Sequence, residues 1–215
     1  MKLNKKIVSL LVAAVMAVVL MPVCMAAPGD SITTRVQNAM NTRASADLYQ
    51  EIATTTPDGT TQNMVVARSN GNVYIKMELS DVGELVYVLK DGQGYLLDNN
   101  AKLAIKGDVP QVTLNEAEGE DTDQSAQGVE TTVNVNGQDY EALSYSGTDD
   151  DGKNVTVSYC LDGDNLKYMV TDNAEGRTVV EYKVTSTTVD QNLFNIPADY
   201  QIMTQDELAA ATAEK

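Results

Sequence analysis

The sequence predicts an α+β fold built on one antiparallel sheet of about ten to eleven strands, with a short helix near each end. Three observations support it. Apolar and polar residues alternate with a period of two in segment after segment between residues 46 and 188. Those segments are separated by two- to four-residue clusters rich in Asn, Asp and Gly, too short for the crossover that parallel strands require. The period changes to three and four only near the two ends.

At the N-terminal side, Asp30 or Ser31 can cap a helix that carries Ile32, Val36, Ala39, Met40 and Arg43 on one stripe. Strand-like segments follow at 48–52 and 60–68, joined through Pro57-Asp58-Gly59. Asn70-Gly71 is a strong hairpin signal, because both residues of that turn need positive φ. The next strand, 73–79, places Val73, Ile75, Met77 and Leu79 on one face and Lys76 and Glu78 on the other. Residues 85–89 are apolar at every position, so that strand is covered on both sides or faces a cavity on one. Asp91-Gly92 and Asn99-Asn100 then separate strands at 94–98 and 102–106.

Residues 107–128 interrupt the rhythm with Glu116, Glu118, Glu120, Asp121 and Asp123, and are expected to form an acidic loop or lid insertion within one domain. The second half resumes with strands at 129–135, 140–146, 155–161, 166–171 and 177–188. A sheet of this size must curl strongly, split into two layers or close. At the end of the chain, Thr204 and Glu207 form a capping-box pair, with Met203 and Leu208 placed as its hydrophobic staple.

Residues 1–26 read as a signal peptide, which leaves 27–215 as a single domain. Lys2, Lys5 and Lys6 precede an apolar run at 7–19, and small residues at Cys24 and Ala26 suit cleavage after Ala26. The run is shorter than the roughly 20 residues that span a bilayer. Lipid anchoring through Cys24 is disfavoured, because Val23 stands where lipoprotein signals usually carry a smaller residue. The expected location is therefore the periplasm, cell envelope or exterior. Cys160 would be the one cysteine of the processed chain, leaving no internal disulfide.

The formal charge of −16 becomes more negative when the three lysines leave with the signal. Such an excess repels nucleic-acid phosphates, so nucleic acid is excluded as a partner. The chain contains no histidine. Serine and cysteine nucleophiles thereby lose their usual base, and zinc its commonest neutral ligand. The carboxylates cluster in turns, unlike the isolated acids of carboxylate hydrolases. We expect no enzyme activity, no cofactor and no metal. Asp149-Asp150-Asp151-Gly152 and Asp162-Gly163-Asp164 resemble fragments of a calcium loop but lack its terminal bidentate acid, and they read as solvated turns.

Tyr49-Gln50 in the first strand, the Tyr95-Leu96-Leu97-Asp98 step and the ending Leu193-Phe194-Asn195-Ile196-Pro197-Ala198-Asp199-Tyr200 form an ordered set. In this the chain resembles the superfamily of periplasmic lipoprotein carriers and outer-membrane lipoprotein receptors (the LolA/LolB/LppX-like fold), over residues 32–202. The resemblance implies a strongly curved antiparallel sheet, a half-open or unclosed barrel, with helices covering its concave face. It departs from the carriers in having no tryptophan.

Two functional expectations follow. In the first, the groove between sheet and helices shelters acyl chains, a lipoprotein or an apolar peptide, with contacts at Val36, Met40, Ile75, Met77, Leu85, Tyr87, Leu97, Tyr168 and Tyr182. Methionine adapts to irregular shapes, and tyrosine suits a part-wet lining. In the second, the same fold is a packed structural domain, or an interaction or sensor domain with an envelope protein as partner and no lipid cargo.

Overall fold

The computed structural model describes residues 31–79, 83–107, 128–149 and 151–213. The signal segment expected at 1–26 and residues 108–127 of the acidic insertion lie outside the described residues.

Helix α1 (Ile32–Arg43) starts at Ser31, whose hydroxyl accepts from the Thr34 backbone N–H at 3.2 Å. The first half of the sheet is a meander: β1 (Leu48–Thr55), β2 (Thr61–Ser69), β3 (Asn72–Leu79), β4 (Gly83–Lys90), β5 (Gln93–Asp98) and β6 (Leu103–Gly107). A second meander contains β7 (Val129–Val135), β8 (Gln138–Thr148), β9 (Asn154–Asp162), β10 (Asn165–Asn173) and β11 (Gly176–Ser186). A 3-10 turn (Gln191–Phe194), β12 (Gln201–Thr204) and α2 (Gln205–Ala213) complete the chain.

Among the described residues, twelve strands form one sheet in the order β12-β6-β5-β4-β3-β2-β1-β11-β10-β9-β8-β7. The two meanders join where β1 pairs with β11, and the sheet does not close, since β12 and β7 remain its edges. Every pairing is antiparallel except the last, where β12 runs parallel to β6. The sequence pattern does not announce β12: it is four residues long and is delivered to β6 by a connection that first crosses the sheet. The expected turns at Asn70-Gly71 and Asp91-Gly92 adopt the required backbone with positive φ, as does Asn136-Gly137 between β7 and β8.

The faces follow from register. Ile52 pairs with Met64, Met64 with Met77 and Met77 with Leu85, which places all four on the face that α1 covers. The opposite face of the first meander buries Val86, Val88, Leu97 and Ala104 beneath Ile196 and Tyr200. Residues 85–89 of β4 are therefore apolar at every position because both faces of the strand are used. On the second meander, that same opposite face buries Tyr140, Ala142, Cys160, Tyr168 and Val170.

Two bulges change side-chain direction. On β10, Leu166 pairs with Leu161 and Tyr168 with Cys160, leaving Lys167 as the extra residue. On β11, Val184 pairs with Glu51 and Tyr182 with Ile52, leaving Lys183 extra. Each bulge sends residues two apart in sequence to opposite faces.

Candidate functional site

Helix α1 packs across β8, β9 and β10. Its N-terminal end is tied down by acids of the sheet. Thr33 donates from its backbone N–H to Glu130 Oε1 at 2.9 Å, and Arg35 meets Glu141 at 2.5 Å. The backbone bond holds the Glu130 carboxyl below its ordinary value. Beneath the helix, Val36 is 4% exposed and packs into a cluster with Leu143, Tyr159, Leu161, Leu166, Val180 and Tyr182.

Seven of the nine expected contact residues meet in this cluster. Val36, Ile75, Met77 and Tyr182 are buried in it, and Met40, Leu85 and Tyr87 pack against it with part of their surface open. Leu97 and Tyr168 do not join them. Leu97 pairs with Val86 on the opposite face, and the bulge at Lys167 turns Tyr168 away from Leu166. The Asp91-Gly92 turn carried the signal for the first: a two-residue hairpin fixes Tyr87 opposite Leu96, so Leu96 is the leucine of that step on the α1 face.

Register adds residues the sequence pattern had not singled out. Leu89 lies beside Val73, Leu96 beside Tyr87, and Ile105 beside Leu96, with Leu103 two residues before Ile105. All of these are half-buried. The α1 face thus has a packed half under the helix and a partly open apolar half on β3–β6.

A polar group borders the packed half. The Arg43 guanidinium lies 4.3 Å from the Tyr182 ring centroid and is 5% exposed. Arg68 donates to the backbone oxygens of Arg43 and Ser45, the latter at 2.9 Å. Burial, followed by the charge of Arg43, lowers the Arg68 value. Gln50 is fully buried on the same face, and its Nε2 donates to Thr185 at 3.2 Å. Burial raises the Tyr159 and Tyr182 phenols, with the Arg43 charge acting in the opposite direction on both. These hydroxyls are neutral in the physiological range, as suits a low-dielectric lining.

Among the described residues, no group of three or more His, Cys, Asp and Glu side chains is gathered to hold a metal ion. No described helix is long and apolar enough to cross a membrane.

No protein-family model matches the chain, and no curated protein matches it in sequence. Solved structures do resemble it in shape. An uncharacterized conserved protein from Thermus thermophilus aligns at 9% identity and a TM-score of 0.46, covering 81% of this chain and 97% of that one. The Mycobacterium tuberculosis lipoprotein LppX aligns at 10% identity and a TM-score of 0.46, covering 74% and 99%. MucB, in its complex with MucA from Pseudomonas aeruginosa, aligns at 14% identity and a TM-score of 0.43, covering 79% and 63%.

Proposed function

We propose that this chain is a non-catalytic binding protein of the cell envelope that holds an apolar ligand, an acyl chain in the simplest case, against the α1 face of its sheet. The observation that carries the reading is the half-buried apolar surface of Leu85, Tyr87, Leu89, Leu96, Leu103 and Ile105, which continues the buried cluster beyond the edge of α1. Contiguous apolar surface of this kind lowers its free energy by leaving water, at about 25 cal/mol per Å². The ligand lies along β3–β6, with Met40 and the edge of α1 as its side wall. The strongly negative surface keeps the loaded protein soluble and disfavours anionic headgroups.

The alternative is a packed interaction or sensor domain with an envelope protein as partner and no lipid. It draws support from the tight seat of Val36, 4% exposed, beneath the helix. Titration with a monoacylglycerol carrying a fluorescent acyl chain separates the two. Saturable binding that weakens about tenfold in Leu96→Asp supports the ligand reading. Native mass spectrometry of protein from envelope extracts supplies the second arm. Lipid-free protein that also ignores the probe overturns the reading in favour of the packed domain.

A further inference from the structure

A second surface, on the face away from α1, has the shape and chemistry of a binding slot. Strand β7 is an edge of the sheet. Val135 and Gln138 close its two-residue hairpin with β8, so residues 129, 131, 133 and 135 exchange backbone hydrogen bonds with β8. Glu130, Thr132 and Asn134 consequently turn their backbone N–H and C=O groups outward. Among the described residues one of these is taken: the Asn134 carbonyl accepts from Arg177 Nη1 at 3.0 Å. Arg177 belongs to β11, and β8, β9 and β10 lie between it and β7 in the sheet. The β7–β8 hairpin therefore folds over until its outer edge faces β11.

The space enclosed is a groove of about 470 Å³. Thr131, Thr132, Val133 and Asn134 line it consecutively. Since side chains alternate along a strand, a consecutive run lines one groove only if the backbone edge forms the wall. The floor is a ladder of hydroxyls, Ser144 with Ser158 at 2.7 Å and Ser146 with Thr156 at 3.0 Å. The far wall is the two-bonded pair of Arg177 and Asp172, at 2.8 and 2.9 Å.

We propose that this slot binds an extended peptide segment of a partner protein, which adds to the outer edge of β7 as a further strand and lays its alternate side chains on the hydroxyl floor. The edge contains no lysine, proline or bulge, and its one charged side chain, Glu130, is engaged by Thr33 of α1. Its outward donors and acceptors recur at the strand repeat, which an extended backbone matches and a saccharide does not. The small polar floor selects Ser, Thr, Ala or Val at the inward positions. The charge of −16 selects an uncharged or basic segment and opposes pairing with a second copy of the chain. This inference is independent of the apolar reading, because the slot and the α1 face lie on opposite sides of the sheet.

The test is amide hydrogen exchange and NMR titration of the full chain with a capped peptide of alternating threonine and valine ending in lysine. The expected result is about tenfold slower exchange at the Thr132 amide, with shifts along β7 and at Arg177. The same peptide N-methylated at alternate residues is expected to have no effect. Thr132→Pro removes an outward donor that β8 does not use and is expected to abolish binding. Ser146→Phe, at an exposed groove position, does so by filling the slot should the proline variant fail to fold. Unchanged Thr132 exchange, equal binding of the methylated peptide, or shifts confined to the α1 face would each overturn the proposal.

Discussion

Cys160 is fully buried between Ala142 and Tyr168, and burial pushes its thiol up to about 11. At pH 8 only about one molecule in a thousand carries the thiolate, so folded protein should resist a disulfide reagent that reacts readily after denaturation. The folded value lies above the ordinary 9.0, so the folded state holds the proton more tightly. Stability from this group is complete below pH 9 and falls as the pH rises towards 11, which denaturant titration across that window can follow. Phe194 behaves in the ordinary apolar way. It is 2% exposed where the 3-10 turn packs on β3 and β4, and Phe194→Ala should cost about 3–5 kcal/mol in the same measurement. At this scale, simple alternation placed Ile75 and Met77 on one face, and the pairing of Met77 with Leu85 added Leu85 to it. Alternation could not place Tyr168, because the extra residue Lys167 leaves no mark in the hydrophobic pattern. For Leu97 the reason is different: two adjacent leucines satisfy either face, and only the hairpin register chooses between them.

Among the elements, the hairpins are the most legible, since Asn-Gly and Asp-Gly supply the positive φ that L-residues with larger side chains resist. Gly71 has open space where an added methyl group would sit, so Gly71→Ala should cost about 1 kcal/mol from backbone strain alone. Gly176 also has positive φ, but there an added Cβ would lie 2.8 Å from that of Pro57. Gly176→Ala should therefore cost more, about 2 kcal/mol, and the difference between the two melting shifts checks the contact. Helix α1 offers a pH test. The Glu130 carboxyl that accepts from Thr33 is depressed, so its contribution is present above the ordinary carboxylate range and is lost as the pH falls through the depressed value. Protection of the Thr33 amide, measured against the intrinsic exchange rate at each pH, should fall on acidification, and Glu130→Ala should show the low protection already at neutral pH. The capping box at Thr204 and Glu207 formed as its spacing indicates, with Glu207 N–H bonding Thr204 Oγ1 at 3.2 Å and Thr204 N–H bonding Glu207 Oε2 at 2.7 Å.

At the scale of the whole molecule, the two meanders are joined by a long-range seam. Tyr49 pairs with Ser186 and Thr55 with Val179, joining two meanders that are otherwise built from neighbouring strands. Because Ile52 and Val180 belong to a cluster that both meanders share, Val180→Ala should lower the unfolding midpoint of both halves together. Coincident transitions by tyrosine fluorescence and far-ultraviolet circular dichroism would show this; separated transitions would mean two folding units. The sequence by itself determined the strand-and-turn grammar, the helix caps, the acidic surface and the lack of histidine chemistry, because these depend on residue type and on neighbours a few positions away. The tertiary structure alone decided which face Tyr168 occupies, that β12 runs parallel to β6, and that β7 folds over to meet Arg177. Those outcomes rest on bulges, on curl, and on contacts between residues more than forty positions apart, such as Arg177 with Asn134, and local periodicity carries no information about them.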